Sequence, residues 1–194
     1  NDNASLTSYL QRACAIFDRL YTLPRLTVAA IQGHAIAGGA ILSLCCDVRA
    51  AQVPSNINYT WSIKEVAIGM SLPYNVYHIC NATLPQHTST EAIVNGRVYS
   101  SNELFTHGIV QYHHAVDANA GQKLQDDDAA HKQRTAEFLK LIEERVINSR
   151  DHQKTFKNFQ ALKRTHKTNG FERSCMSNSQ EKKAMDEEFM RLLM

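Results

Sequence analysis

Two adjacent glycines, Gly38 and Gly39, follow a short apolar run from Leu26 to Ile31 and a turn glycine, Gly33, and no charged residue appears after them until Asp47. A helix that starts on glycines straight after a strand and turn leaves its first backbone N–H groups without intrahelical partners. The helix dipole and the missing side chains make such an end suitable for an anion, or for a carbonyl oxygen gaining negative charge. The same glycines would also allow close packing of helix on strand, so the pattern alone leaves both roles open. The second candidate is Glu65, whose neighbours Trp61, Val66, Ala67, Ile68 and Met70 are apolar. Burial in such surroundings raises a carboxyl pKa toward the working pH, where the group can act as a general acid or base. Lys64 works the other way, because a nearby ammonium lowers a carboxyl pKa. A surface glutamate at a strand end is the competing reading.

Other chemistries find less support. The tandem His113-His114 has no carboxylate or cysteine at ligand spacing beside it, so no metal site is expected. Five cysteines without a CxxC pattern read as small buried apolar residues in a reducing compartment. The net charge of +2 marks neither a nucleic-acid binder nor a partner for strongly acidic ligands. A basic run, Lys154, Lys157, Lys163, Arg164 and Lys167, is read as a solvated helix face, and nucleic acid is not expected because no aromatic stacking platform is interleaved. No apolar run reaches the ~20 residues of a membrane helix. The chain starts at Asn1 without a methionine or signal peptide, and a missing upstream segment is expected.

These residues need elements to position them. Residues 5–21 read as a helix with Leu6, Leu10, Ala13, Ile16, Phe17 and Leu20 on one face and Ser5 as its cap. Leu26 to Ile31 reads as a strand buried on both faces, as in a parallel sheet. A second strand starts at Asp47, a strand or loop ends at Gly69, and a helix is expected over 73–82. Helical signals recur from Ser89 to Val98 and from Ser101 to His107, separated by a turn. A polar linker spans 117–133, then a helix carries Phe138, Leu141, Ile142 and Val146, and a last helix carries Met185, Phe189 and Leu192. Strand–helix alternation in one chain of 194 residues predicts a layered α/β or α+β domain.

The segment "LPRLTVAAIQGHAIAGGAILSLCCDVRAA" resembles the strand, turn, glycine run and Cys-Asp helix end of the enoyl-CoA hydratase/isomerase (crotonase) family. "KEVAIGMSLP" (64–73) is similar to the family's second catalytic segment, and "AIVNGRVYSSNELFTHGIV" (92–110) to its next block, in the same order over residues 5–115. The resemblance implies a partial crotonase-like ββα superhelix core at 1–116 and a C-terminal helical region of the trimerisation type at 117–194. It implies the Gly38 N–H as one of two oxyanion donors to an acyl-CoA thioester, the other lying upstream. It further implies Glu65 as the catalytic carboxylate, with Ala37, Gly39, Ile41, Trp61 and Pro73 at the substrate.

The family's hydratases carry two glutamates, and Ile41 stands where the first would be. Adding water needs one group to activate the water and another to hand over a proton, whereas shifting a double bond from the 3- to the 2-position can use one base. Single-glutamate members resembling Δ3-Δ2-enoyl-CoA isomerases are therefore the functional comparison, with acyl-CoA as substrate and no bound cofactor. The resemblance also implies a homo- or hetero-trimer and a mitochondrial setting, peroxisomal as the alternative. An inactive crotonase-fold subunit of a larger complex is the competing expectation.

Overall fold

The computed structural model describes residues 2–54, 58–116 and 128–147 and, beyond these, Lys163, Lys167, Gln180, Lys183, Ala184 and Glu187. Its first helix, α1 (Asp2–Tyr21), ends in the turn before Pro24. Ser5 lies inside it and does not cap it. Cys14, Phe17 and Leu20 pack on the core and Tyr21 is buried, while Ile16 is 59% exposed and shares an outward flank with Tyr9. The buried stripe is thus rotated from the expected one, because Cys14 and Tyr21 were not counted among the inward positions.

Three parallel strands form one sheet in the order β1 (Val28–Ile31), β3 (Val48–Pro54), β6 (Tyr112–Val116), with Val28 opposite Val48 and Ala50 opposite Tyr112. A parallel pair needs a long crossover. Between β1 and β3 it consists of β2 (Ala35–Ile36) and α2 (Gly38–Cys45). β2 belongs to a second small sheet in the order β2, β4 (Thr60–Ser62), β5 (Tyr99–Ser100), parallel to β4, which runs antiparallel to β5. Helices α3 (Tyr74–Thr83) and α4 (Gln86–Ile93) follow, each entered through a proline, Pro73 and Pro85. Pro85 starts α4 earlier than the expected Ser89, since proline's fixed φ suits a helix entrance. Residues 101–108 form successive turns instead of the expected helix.

Leu44, Trp61, Ile63, Ile79, Tyr99 and Leu104 are fully buried in the main core between α2, α3 and the small sheet. α5 (Asp128–Ile142), continued by a π-helical turn over Glu143–Ile147, lays Phe138, Ile142 and Val146 on Ala50, with Leu26, Val28, Val48 and Tyr112 beside them. That helix therefore covers the chain's own parallel sheet. The stripe Met185, Phe189 and Leu192 lies outside the described residues. β1 differs from expectation: among the described residues it is an edge strand, with Ile31 buried and Ala30 exposed. A wholly apolar run predicts cover on both faces, but here one side opens on a cleft.

The basic run also reads differently in three dimensions. Lys163 is 5% exposed, and its Nζ donates to the Asp47 carboxylate and to the Arg25 carbonyl oxygen. Lys167 Nζ lies 2.9 Å from Asp47 Oδ1 and 4.5 Å above the centre of the Tyr21 ring. Both lysines belong to a buried charge cluster and not to a solvated face; Lys154, Lys157 and Arg164 lie outside the described residues. Thr27 donates its backbone N–H and its hydroxyl to Asp47 Oδ2 at 2.9 and 2.8 Å. Burial opposes the Asp47 charge, but the Lys163 and Lys167 bonds and the Thr27 N–H outweigh it and hold the carboxyl below its ordinary pKa.

Because the folded pKa is depressed, this contribution to stability is complete above the ordinary carboxyl value of about 4 and is lost as pH falls through the folded value. Asp47→Asn leaves two buried ammonium groups without their carboxylate, and breaking a buried pair in this way costs about 3–5 kcal/mol. Urea unfolding followed by the fluorescence of Trp61, the one tryptophan, should show that loss at pH 7. The difference between the two proteins should shrink as the pH falls below about 4.

Candidate active site

Ala37 sets the geometry of the glycine helix. As the residue before α2 it adopts φ 52° and ψ −122°, a conformation that glycine enters freely and that costs other residues on the order of 1–3 kcal/mol. Its N–H donates to the Ser62 carbonyl oxygen at 2.9 Å, and its own carbonyl oxygen accepts from the Ile41 N–H at 3.0 Å. The Ala37 N–H is therefore engaged within the fold. The N–H groups of Gly38, Gly39 and Ala40 are the ones that helix geometry leaves without an intrahelical acceptor.

The glycines themselves test the packing explanation. A Cβ added at Gly39 would meet nothing within 4 Å, and one at Gly38 would reach only the tip of the Phe17 ring at 3.8 Å, an ordinary contact. Neither takes the positive φ that would demand glycine. The fold could accommodate alanine at both positions, so close packing does not account for them, and open space lies over the helix start.

The bond from Ala37 to Ser62 brings this helix end to the end of β4, three residues before Glu65. Glu65 leads into a single 3-10 turn (Val66–Ile68) that Gly69 closes in the left-handed region, at φ 76°. Burial raises the Glu65 carboxyl above its ordinary pKa, while the backbone N–H groups of Glu65 and Lys64 pull it partly back. The Lys64 ammonium, expected to lower it, is not among the causes. Glu65 Oε2 is buried and without a hydrogen-bond partner among the described residues, as are Ser62 Oγ and Ser71 Oγ on the same stretch. Buried polar atoms are nearly always paired in native folds. Three such unpaired oxygens fall within ten residues.

The remaining candidates separate. Ile41 is 3% exposed and Trp61 fully buried, both in the main core, and Pro73 is buried at the entrance to α3. The Trp61 Nε1–H donates to Ser43 Oγ at 3.0 Å, and that hydroxyl donates to the Ala40 carbonyl oxygen at 2.6 Å. The indole acts through α2, holding the helix to the small sheet. A cleft of about 450 Å³ runs along β1 between Leu20, Ala29 to Ala35 and the Gly39, Leu42, Ser43 and Cys46 side of α2. Glu65, Ile41, Trp61 and Pro73 do not line it; Gly39 does. Sequence reasoning passed over Ser43, Ser62 and His34. The first two look like ordinary polar residues in a chain, and only burial marks them. Among the described residues, no group of three or more His, Cys, Asp or Glu side chains is arranged to hold a metal ion, and no helix is long and apolar enough to cross a membrane.

Comparison with known proteins identifies the fold and the family. Residues 1–186 match the family model described as enoyl-CoA hydratase/isomerase. The chain is 30% identical over 107 residues to mouse "Enoyl-CoA delta isomerase 1, mitochondrial", a match covering 55% of this chain and 36% of the mouse protein. It is 34% identical over 95 residues to a putative enoyl-CoA hydratase of Thermus thermophilus, covering 49% of this chain and 36% of that one. The matches thus span little more than a third of the length of these relatives. Among solved structures, an enoyl-CoA hydratase from Bacillus halodurans superposes with a TM-score of 0.59 at 19% identity, covering 97% of this chain and 64% of that chain. An enoyl-CoA hydratase/isomerase family protein from Pseudomonas syringae does so with a TM-score of 0.57 at 19% identity, covering 91% and 66%. Strand, glycine-led helix and half-buried glutamate thus sit in a crotonase-type α/β fold, and the chain belongs to the enoyl-CoA hydratase/isomerase family.

Proposed function

We propose that the protein isomerises 3-enoyl-CoA to 2-enoyl-CoA with Glu65 as its single acid/base. The observation that carries this reading is the half-buried Glu65 carboxyl, raised in pKa and with its Oε2 buried and unpaired among the described residues. As carboxylate it takes a proton from C2 of the acyl chain. The electron pair moves to the thioester oxygen, which the Gly38 N–H receives at the start of α2, and Glu65 returns the proton at C4. Atoms and charge balance without a co-reactant. A base whose pKa lies nearer the working pH is the stronger base.

Hydration asks for more. At the position of a hydratase's first glutamate stands Ile41, which cannot orient water, so 2-enoyl-CoA should be a poor hydration substrate. The trimeric assembly and the mitochondrial setting, peroxisomal as the alternative, belong to the same reading by analogy with the family and with the mouse relative's name. An inactive subunit of a larger complex is the reading that absence of activity would leave.

Two substitutions in the full-length protein test the assignment with stability as an independent measure. Glu65→Gln removes the base and should lower the isomerase rate by roughly 10²–10⁴-fold. Its folded pKa is raised, so ionising Glu65 costs the native state stability as pH rises above the ordinary carboxyl value. The variant should therefore melt higher than the unaltered protein at pH 7 to 8. An unchanged rate, or efficient hydration of 2-enoyl-CoA by the unaltered protein, would overturn the single-glutamate mechanism. Gly39→Ala fills open space and replaces glycine within a helix. Stability should hold or rise by up to about 1 kcal/mol, while kcat/KM for 3-enoyl-CoA falls. Unchanged kcat/KM would overturn a substrate role for this helix start.

A further inference from the structure

Arg97 takes no part in the mechanism above, yet it ties α4 to the turns after β5. Its Nη1 lies 2.7 Å from Glu91 Oε2 on α4, and its Nη2 2.9 Å from Glu103 Oε1, just past β5. The guanidinium carbon stands 4.8 Å from the centre of the Tyr99 ring, and the Tyr99 hydroxyl donates to the same Glu91 oxygen at 3.1 Å. Glu103 Oε2 is fixed in turn by the Ser100 N–H and hydroxyl, at 2.8 and 2.7 Å. His107 Nε2 lies 3.4 Å from Nη2. Single pairs between half-exposed charges contribute little. A planar fork held by carboxylates from two separate elements fixes direction as well as distance.

What the fork spans is the connection 94–98 between α4 and β5. Gly96 takes φ 60° there, a left-handed conformation that glycine enters freely, and the Arg97 N–H donates to the Glu91 carbonyl oxygen at 3.1 Å. Of these five residues only Gly96 is buried. Val94 is 62% and Val98 41% exposed, so no large apolar side chain pins the connection down. A Cβ on Gly96 would lie 3.6 Å from the Ala67 Cβ and 3.9 Å from the Ile63 carbonyl oxygen. Those two residues flank Glu65, two positions away on either side. The connection therefore backs the segment that carries the carboxyl, and a glycine has no side chain with which to hold it there.

Burial is the first cause of the raised Glu65 pKa, and no charged side chain contributes to it. The Cys80 thiol on α3, raised mainly by its own burial, is the titratable group that feels the Glu65 charge. An influence of Arg97 on Glu65 thus runs through packing and the exclusion of water. Resting on the reading of Glu65 as the base, we propose that Arg97 is a positioning residue for it: forked over Glu91 and Glu103, it seats Gly96 against Ile63 and Ala67 and so keeps the Glu65 carboxyl desolvated.

A double-mutant cycle in the full-length protein, read as melting temperature at pH 7 to 8, tests this. Glu65→Gln should raise the melting temperature of the unaltered protein, because the ionised carboxylate lacks solvent there. Arg97→Met keeps the stem over Tyr99 but removes the donors. In that background the segment admits water, and Glu65→Gln should lose most of its gain. Glu103→Gln opens one arm of the fork and should shrink the gain in part. A merely structural role lowers the melting temperature but leaves the two substitutions additive. A gain that stays whole in Arg97→Met overturns the proposal; if that variant does not fold, a whole gain in Glu103→Gln does so. Arg97→Met should also lower kcat for 3-enoyl-CoA by roughly three- to tenfold with KM within about twofold, as a weaker base requires. A raised KM with kcat unchanged overturns the proposal as well. The cycle reads the surroundings of the carboxyl and not turnover, so coupling in a protein without isomerase activity would sink the single-glutamate mechanism alone. No gain from Glu65→Gln in the unaltered protein would overturn both.

Discussion

The site depends on one backbone constraint, the positive φ of Ala37. A chain leaving β2 in an ordinary extended conformation would run on past Ser62. At φ 52° and ψ −122° it turns into α2 instead, and the N–H bonded to the Ser62 carbonyl oxygen fixes where the turn happens. The N–H groups beyond the turn then project from the helix start, beside the stretch that carries Glu65. Strain of this kind persists only where the surroundings over-determine it. Here they do: Ala37 is held on one side by β4 and on the other by the first helical bond, to Ile41.

The far end of the same short helix is fixed by charge. Lys167 Nζ approaches the Cys45 carbonyl oxygen at 3.4 Å, and Arg49 Nη1 donates to that of Cys46 at 2.9 Å. Cations at a helix C-terminus complement its dipole. Arg49 is itself buried, which lowers its pKa to about 10, and its Nε–H donates to the Ile109 carbonyl oxygen at 2.7 Å. Asp47, two residues past Cys45, collects Lys163 and Lys167 from the C-terminal part of the chain. The helix that would receive the thioester oxygen is therefore anchored at its start by backbone, along its length by Trp61 through Ser43, and at its end by buried cations.

Features whose physics is local could be read from sequence: the strand at 26–31, the glycine-led helix, and the break at Gly69 after Glu65. Features decided by distant partners could not. Lys163 and Lys167 look solvated until Asp47 is found beside them, more than a hundred residues away in the chain. The bond from the Trp61 indole N–H to Ser43, eighteen residues back, is another such feature. β6 escaped notice because Tyr112, His113 and His114 are not a strand's usual apolar alternation, and it forms by pairing with β3 while Phe138 stacks near His114. The identity of β1 was legible but its place at the edge of the sheet among the described residues was not, since an apolar run does not say which of its sides will be covered.

Ile41 shows how packing and chemistry constrain each other in this chain. It lies on α2 in the same core cluster as Leu44, Trp61 and Ile79, and is 3% exposed. A carboxylate there would enter a core whose nearby polar groups, the Trp61 indole N–H and the Ser43 hydroxyl, already bond to each other and to the helix. An ionised carboxylate without partners is too costly to bury and would sit protonated, unable to share in activating water. Glu65 escapes that fate because it stands on a turn at the core's edge, where burial raises its pKa but backbone N–H groups still reach it. The two positions are therefore not interchangeable sites for a carboxylate, and the core that accommodates Ile41 leaves Glu65 as the candidate base.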